Sequence, residues 1–574
     1  MSNVLEAYFN PTAIRLAYRR IQCWPDRLAK DQVGIRAFGD QLEQNCDRLS
    51  QKLIRGGFVP SRGFKYYMPK ASKTNRTRTV LAVEDALVYQ AIANRIAERQ
   101  YDRLAEYSSF VFGSVLSPQV KKGVALMDAE EPDFFFFKFW KALFQKFKES
   151  VLQSIQVDKV TYRFETDITG FFDCIPHYNM LEVLSRSFGV EDEVLDLLSE
   201  CFNRWSGTKE SYTPGVGIPQ GPLPSYLLAN LLLHDLDKAI VEKGLSYYRY
   251  MDDISIYGYN EAEMLESLVM IDNYLKSNGL SLNSKKTSIE RIDDSVSAEK
   301  EKALKKLRTF SLYAPDDGFE DVGEEVEPPS TVVDSKFSEL GEQDHAGIHW
   351  DESVVETLVE REDVLAFWQN EIREVAEELP KLFDNPAESW TELIAKEGAI
   401  DTDFIGLSAR FGLATRKLEE LGEALKPNEG ILKYWMWAFD SFFWRVNNFS
   451  WTLGLYRSCD PLKAFLKAEL KGKFKLYEWS RYFTVQTLSM SQSFSDQELR
   501  TDFFPLLNSE DSELVRIAVY RLLFMHTNNA QFVASVDAKL KGESSDFLKL
   551  VVLEFKRNQR RGSFRAEDFL GEGL

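Results

Sequence analysis

Phe164-Glu165-Thr166-Asp167-Ile168-Thr169-Gly170-Phe171-Phe172-Asp173 and Tyr248-Arg249-Tyr250-Met251-Asp252-Asp253-Ile254-Ser255-Ile256 are the two stretches on which the reading of this chain turns. In the first, a run of strand formers delivers Asp167 at its end and Gly170 marks a turn. In the second, two adjacent aspartates interrupt a run of β-branched and aromatic residues, which predicts a hairpin with the pair at its bend. Successive side chains of a strand point to opposite faces. Only a tight turn therefore brings both carboxylates of the pair, or one of them and Asp167, to one point. Carboxylates held together raise one another's pKa and oppose folding unless a cation neutralises them. Hard oxygen ligands suit Mg²⁺, and two such ions about 4 Å apart serve phosphoryl transfer. Read alone, Asp252-Asp253 also fits an ordinary β-turn, where aspartate is common.

Working outward, the pattern from Tyr162 reads as strand Tyr162 to Ile168, helices Tyr178 to Arg186, Glu191 to Asn203 and Tyr226 to Val241, hairpin strands Tyr247 to Met251 and Ile254 to Tyr257, and helix Glu261 to Ser277. That order predicts an α+β sheet with helices on one face. Upstream, residues 1–60 read as helical, with Leu42, Cys46, Leu49 and Leu53 on one amphipathic face before the Arg55-Gly56-Gly57-Phe58-Val59-Pro60 breaker. Lys65 to Met68 and Thr77 to Val83 read as strands joined by a basic loop, followed by a helix from Glu84 to Gln100. The phenylalanine-rich stretch within 123–157 suggests an inserted helical hairpin, since Phe135, Phe139, Leu143 and Phe147 fall at helical spacing.

Downstream, Pro315 to Asp344 holds eleven acidic residues and a single lysine, the composition of a linker or an inserted acidic loop. Beyond Glu352 the periodicity is helical almost to the end, in segments of unequal length without a fixed period. An all-α HEAT-like array and a plain bundle both fit that pattern. The expected divisions are 1–60, 61–160, 161–312, 313–351 and 352–574.

A chain of 574 residues has room for three or four domains of ~150 residues. Its 44% hydrophobic and 28% charged residues exclude disorder of the whole chain. The apolar run Phe134 to Phe137 is far short of the ~20 residues that a membrane span needs. Met1 to Asn10 carries neither a basic nor an apolar signal region, so the expected location is the cytoplasm. Cys23, Cys46, Cys174, Cys201 and Cys459 are scattered without a C-x-x-C pair and read as reduced thiols. His345 and His349 lack the glutamate of H-E-x-x-H, so their i, i+4 spacing reads as chance.

Net charge is −19, but residues 1–290 hold 35 basic against 37 acidic residues and the remainder 35 against 52. The acid is mostly C-terminal. Residues 51–100 hold 10 basic against 3 acidic residues, centred on Lys65, Lys70, Lys73, Arg76 and Arg78. Such a patch could meet phosphates, or form a solvated basic face.

With these residues in view, the sequence resembles reverse transcriptases. Tyr250-Met251-Asp252-Asp253 is similar to the palm tetrapeptide Y-x-D-D, and Asp167 with Phe172-Asp173 to the first palm motif. Gly217-Ile218-Pro219-Gln220-Gly221-Pro222-Leu223-Pro224-Ser225 through Asn230 resembles P-Q-G-x-x-x-S-x-x-x-x-N, and Gly279 through Thr287 resembles the fourth motif. The four occur in family order over roughly residues 50–290, under half the chain.

The resemblance implies a fingers-palm polymerase fold, with fingers over 61–160 and palm over 161–312. It implies two Mg²⁺ ions, replaceable by Mn²⁺, held by Asp167, Asp252 and the Ile168 carbonyl with Asp253 in support. Phe172 would be the ring that excludes a ribose 2′-hydroxyl, and Gln220 and Gly221 would lie over the incoming dNTP. Arg76 and Arg78 would hold the triphosphate, and Lys70 would help with template or phosphate. Lys286, with Lys285 as its neighbouring alternative, would protonate the pyrophosphate.

A basic thumb bundle, an RNase H pattern and an endonuclease are missing from the sequence. A palm followed by acidic, aromatic-rich helices is similar to the bacterial abortive-infection and defence-associated reverse transcriptases. That subfamily implies antiphage defence, an RNA template and nascent DNA or untemplated synthesis, protein priming, homo-oligomers and partner defence proteins, with no membrane partner. A retron-like or diversity-generating enzyme with a noncoding RNA, and a non-catalytic RNA-binding scaffold, are the competing readings. Tyr434, Trp435, Trp437, Phe442, Phe443 and Trp444 are expected to be core rather than base-stacking residues.

Overall fold

The computed structural model describes residues 3–292 (apart from 25, 27–28, 130–131, 157, 210 and 212), 361–383, 397–422 and 429–560. The acidic segment, with His345 and His349, lies outside the described residues. The chain forms two units, one of Met1–Lys65 with Thr77–Leu307 and one of Tyr66–Arg76 with Arg308–Gly573.

In the first unit, α1 (Pro11–Cys23) starts at Asn10, whose side chain accepts the Ala13 N–H, with proline in the first turn. The stripe of α2 (Leu42–Ile54) buries Cys46, Leu49 and Leu53. Helix α1 packs against both α2 and α3 (Val83–Ala105). Arg20 donates to Asn94 at 2.8 Å, and Lys52 pairs with Glu84 at 2.9 Å. The break after Pro60 ends a helix without ending a domain, because the apolar faces on either side of it need each other.

The strands β1 (Phe64–Pro69) and β2 (Asn75–Val80) form a two-stranded sheet. The phenylalanine-rich stretch corrects the expected hairpin of helices. Asp133 turns the chain by accepting the Phe135 N–H at 2.9 Å, and the extended backbone that follows pairs with 115–117, through Ser117 N–H to Phe136 O and Lys138 N–H to Val115 O. One helix follows, α4 (Trp140–Gln156). Phe135 and Phe139 are exposed, while Leu143 and Phe147 are buried.

The central sheet is antiparallel, with order β4 (Ser246–Tyr250), β5 (Asp253–Gly258), β3 (Tyr162–Asp167) and β6 (Ser288–Arg291). Around it lie α5 (His177–Phe188), α6 (Asp192–Trp205), α7 (Leu223–Val241) and α8 (Glu261–Ser277), of which α7 and α8 touch the strands. Helix α7 is apolar and buried over most of its surface, including Leu231, Leu232, Leu233 and Leu236, with Asp235 and Lys238 on its exposed side. Burial of each such leucine contributes roughly 1.5–3 kcal/mol. This helix is the floor under the β4–β5 hairpin.

The second unit is all-helical in 361–383, 397–422 and 429–560. Helices α9 (Arg361–Lys381), α10 (Glu397–Glu420), α11 (Glu429–Ser441), α12 (Val446–Gly454), α13 (Asp460–Glu469), α14 (Glu478–Ser491), α15 (Glu513–His526), α16 (Ala530–Lys541) and α17 (Asp546–Arg560) follow in order. Packing runs in series: α9 on α10, α10 on α12, α12 on α14, α14 on α15 and α15 on α17. Buried hydroxyl rungs link successive members, Ser408 with Thr452 and Ser450 with Thr487. Trp435, Phe442 and Phe443 are core residues, and Tyr434 and Trp437 pack on Phe383. No helix among the described residues is long and apolar enough to cross a membrane.

Candidate active site

Asp167 is the last residue of β3 and Asp253 the first of β5, and the two are register partners. Tyr250 pairs with Asp253, so Met251 and Asp252 form a two-residue turn. Met251 sits at φ 55, in the left-handed region. For a non-glycine residue that costs about 1–3 kcal/mol and persists only where the surroundings enforce it.

The enforcement is visible. Arg249 Nη1 donates to the Met251 carbonyl at 2.7 Å, and its Nε and Nη2 grip both oxygens of Asp237 at 2.7 and 2.5 Å. Tyr247 donates to the same carboxylate, and Asn230 joins Arg249 to the Gly113 carbonyl. Arg249 and Asp237 are both buried, and a buried charge needs such a partner.

The resulting turn converges three carboxylates. Oxygen atoms of Asp167, Asp252 and Asp253 all lie within 4.8 Å of one another. Burial, then Asp252 and Asp167, push the Asp253 carboxyl well above its ordinary range, and Lys286 opposes this. Lys286 Nζ lies 3.2 Å from Asp167 Oδ2. Burial draws its ammonium down, but Asp253 and Asp167 outweigh that and hold it above the usual lysine value. Asn283 steadies Asp167 twice, from its N–H to the carbonyl at 2.7 Å and from Nδ2 to Oδ2 at 3.0 Å.

Three carboxylates facing one ammonium leave a surplus of negative charge on hard oxygens, a donor set that fits a divalent cation. Asp167, Asp252 and Asp253 would hold it. The bridge between Ile168 and Leu282 runs through the Asp167 carbonyl, which accepts the Asn283 N–H, and the Thr169 N–H, which donates to Ser281 O. A bound divalent ion would supply charge stabilisation to a transferring phosphoryl group.

Gly170, at φ 54, turns the chain from β3 into the short helix Phe171–Cys174. Phe172 is buried edge-on against Tyr226, ring centroids 5.5 Å apart. Backbone bonds staple this segment to the Gly217–Gly221 loop: Ile218 N–H to Phe172 O at 2.9 Å, and Gly217 N–H to Ile175 O at 2.8 Å. His177 Nε2 meets Gly217 O at 2.7 Å, and burial pushes this imidazole down. The Gln220 carbonyl accepts the Thr79 N–H at 2.9 Å, and the Gln220 side chain is half-buried. Gly221 has φ +131, and a Cβ there would come within 3.1 Å of Ala29 and 3.2 Å of Thr79 O.

The basic residues divide. Arg78 corrects the expectation of a triphosphate ligand, because its guanidinium is buried in an ion pair with the equally buried Asp26. Arg76 and Lys70 lie in the Tyr66–Arg76 segment of the second unit, both half-buried. Lys65 is buried with Nζ on Trp205 O at 2.6 Å and Thr79 Oγ1 at 3.1 Å, and burial pushes it down to about 8. Lys285 is exposed. Asp237, Asn230, Asn283 and His177 are site-building residues to which sequence reasoning assigned no role. The available signals were an acid inside an apolar helix and an arginine inside a strand.

Residues 68–307 match the family described as reverse transcriptase (RNA-dependent DNA polymerase), and the match contains all three carboxylates. This segment is a reverse transcriptase domain, and the enzyme class it defines is RNA-directed DNA polymerase. An uncharacterized 91 kDa protein in the cob intron of Schizosaccharomyces pombe is 27% identical over 224 residues, which cover 39% of this chain and 24% of that protein. The chain thus matches about a quarter of that relative's length. Among solved structures, telomerase from Candida albicans with a fragment of telomeric RNA shares 10% identity at a TM-score of 0.30, covering 85% of this chain and 67% of that one. Apo telomerase from Candida tropicalis shares 12% identity at a TM-score of 0.30, covering 74% and 69%.

Proposed function

We propose that the whole chain acts as a Mg²⁺-dependent reverse transcriptase, adding dNTPs by phosphoryl transfer. The observation that carries this reading is the meeting of three carboxylates, from two distant segments, within 4.8 Å. Asp167 and Asp252 hold the cations, with Asp253 and the Ile168 carbonyl in support, and Mn²⁺ can replace Mg²⁺. Lys286 donates a proton to the departing pyrophosphate. Phe172 occupies the space a 2′-hydroxyl would need, and Gln220 and Gly221 face the nucleotide. Arg76 and Lys70 attract the triphosphate, while Arg78 braces β2 through Asp26.

The finer reading is a role in bacterial antiphage defence by abortive infection, in the cytoplasm, with homo-oligomers, a noncoding RNA or a partner defence protein as associates. Its support is the order of parts, a reverse transcriptase domain followed by helices packed in series, the arrangement expected of a HEAT-like array. Synthesis without a template, or from a protein hydroxyl, belongs to the same reading.

The test is to give purified protein Mg²⁺ and each dNTP or rNTP, with and without a primed RNA, and to digest the product with protease and nucleases. Wild-type protein is expected to incorporate dNTPs, and Phe172→Val to admit rNTPs at least tenfold better. Asp252→Ala with Asp253→Ala should abolish both incorporation and phage protection. Protection that survives those substitutions would favour the scaffold reading.

A further inference from the structure

The segment Tyr66–Arg76, which spans the turn between β1 and β2, carries Lys70, Lys73 and Arg76 and no acidic residue, so its charges repel one another. It is ordered nonetheless. Lys70 N–H reaches Thr74 O and Lys73 N–H reaches Lys70 O, both at 2.8 Å, which closes a turn around Lys73 at φ 67. A lysine in the left-handed region is held there by its surroundings. Those surroundings are residues of the helical unit, with which this segment packs.

Three consecutive residues where α14 begins supply them. Tyr477 donates its hydroxyl to the Lys73 carbonyl at 3.2 Å. Glu478 accepts the Tyr67 N–H at 2.5 Å, while its other oxygen takes the Ser512 hydroxyl. Trp479 stacks on Tyr66 with ring centroids 5.6 Å apart and planes 8° from parallel, both rings fully buried. A backbone amide, a strained carbonyl and a ring face of the basic segment are thus each satisfied by the start of one helix.

We propose that Tyr477, Glu478 and Trp479 are positioning residues for the dNTP, fixing the conformation of the loop that presents Lys70, Lys73 and Arg76 to the triphosphate. This rests on the polymerase reading above.

Glu478→Gln, Tyr477→Phe and Glu478→Ala are to be compared with the unsubstituted full-length protein and with Arg76→Ala. Two quantities are read: hydrogen exchange at the Tyr67 amide, and kcat and KM for dNTP. Glu478→Ala is expected to speed Tyr67 exchange at least tenfold and to raise KM for dNTP five- to tenfold with kcat within twofold. Glu478→Gln, which keeps an acceptor oxygen, should recover most of both. Tyr477→Phe removes one hydroxyl from a half-buried ring and guards against misfolding, with an expected two- to threefold rise in KM. Unchanged Tyr67 exchange in Glu478→Ala overturns the inference. So does an unchanged KM in that variant when Arg76→Ala raises it. Failure of the polymerase reading shows separately, as no incorporation by the unsubstituted protein, and the exchange arm then still decides whether α14 holds the loop.

Discussion

Arg249 donates from Nη1 to the carbonyl oxygen of Met251 at 2.7 Å, so one buried guanidinium holds the backbone of the turn that bears Asp252. The same group is bound by Asp237 on α7. Position of the carboxylates is thereby referred to the apolar floor helix rather than left to a two-residue loop. Removing one partner of a buried pair typically costs 3–5 kcal/mol, since the other charge is stranded. Arg249→Met is expected to destabilise the protein by about that much, and Asp237→Asn similarly. The double substitution should cost less than the sum, as measured by a urea-denaturation cycle. In whatever fraction remains folded, kcat should fall more than KM for dNTP rises.

Lys286 is placed to serve two roles that one substitution separates. Its ammonium lies 3.2 Å from Asp167 and partly neutralises it. As the proposed proton donor it should also assist departure of pyrophosphate, a contribution of about 10²-fold for general acids. Lys286→Gln removes both. Binding of Mg²⁺, followed by calorimetry, should become tighter because a competing cation is gone, while kcat falls by about 10²-fold. If kcat is unchanged, the lysine is only a charge neutraliser.

Lys65 gives a pH dependence of known sign. Burial pushes it down to about 8 in the folded chain, from an ordinary value near 10.5. Between those values the unfolded chain binds more protons than the folded one, so stability rises with pH across that interval and the full cost is felt below pH 8. Lys65→Met should abolish the rise. The difference between the two proteins in urea unfolding at pH 7.5 and 9.5 isolates this group from tyrosines that titrate nearby.

Strands β3, β4 and β5 and the acidic cluster were legible because each depends on local pattern: strand formers ending at Asp167, and a hairpin broken by Asp252-Asp253; β6, only Ser288–Arg291, is held by pairing with the distant β3 and carried no such pattern. The phenylalanine-rich stretch was not legible either. Helical spacing of Phe135 and Phe139 is real, but the 115–117 backbone pairs with residues 136–138 between them in extended form, a long-range contact that no local window contains. Arg78 misled for a related reason. Its position on a basic loop suggested phosphate, and its partner Asp26 is fifty-two residues away. The grouping of Tyr66–Arg76 with helices four hundred residues later was beyond any periodicity argument.

The last prediction tests whether the turn can be disturbed from outside without touching a charged group. Gly113 lies against the strand that carries Arg249, and Phe112 N–H donates to the Arg249 carbonyl at 2.8 Å. A Cβ at Gly113 would fall 2.6 Å from the Met251 backbone nitrogen, inside the distance that real contacts keep. The neighbour is backbone and has no rotamer to change, so either the 110–114 segment or the Met251–Asp252 turn must shift by several tenths of an ångström. Catalytic groups displaced on that scale lose activity steeply, with a 1 Å error costing about 10²-fold. Gly113→Ala is therefore expected to lower kcat roughly tenfold or more with KM for dNTP little changed, and to weaken Mg²⁺ binding in the absence of nucleotide. Gly56, where a side chain would meet nothing within 4 Å, is unsuitable as a control because its φ is +67. Gly57 is the better one, since a Cβ there comes no closer than 3.5 Å to the Lys52 carbonyl. Gly57→Ala should leave all three quantities unchanged, and equal behaviour of the two alanine variants would show that the turn is not held where the structure puts it.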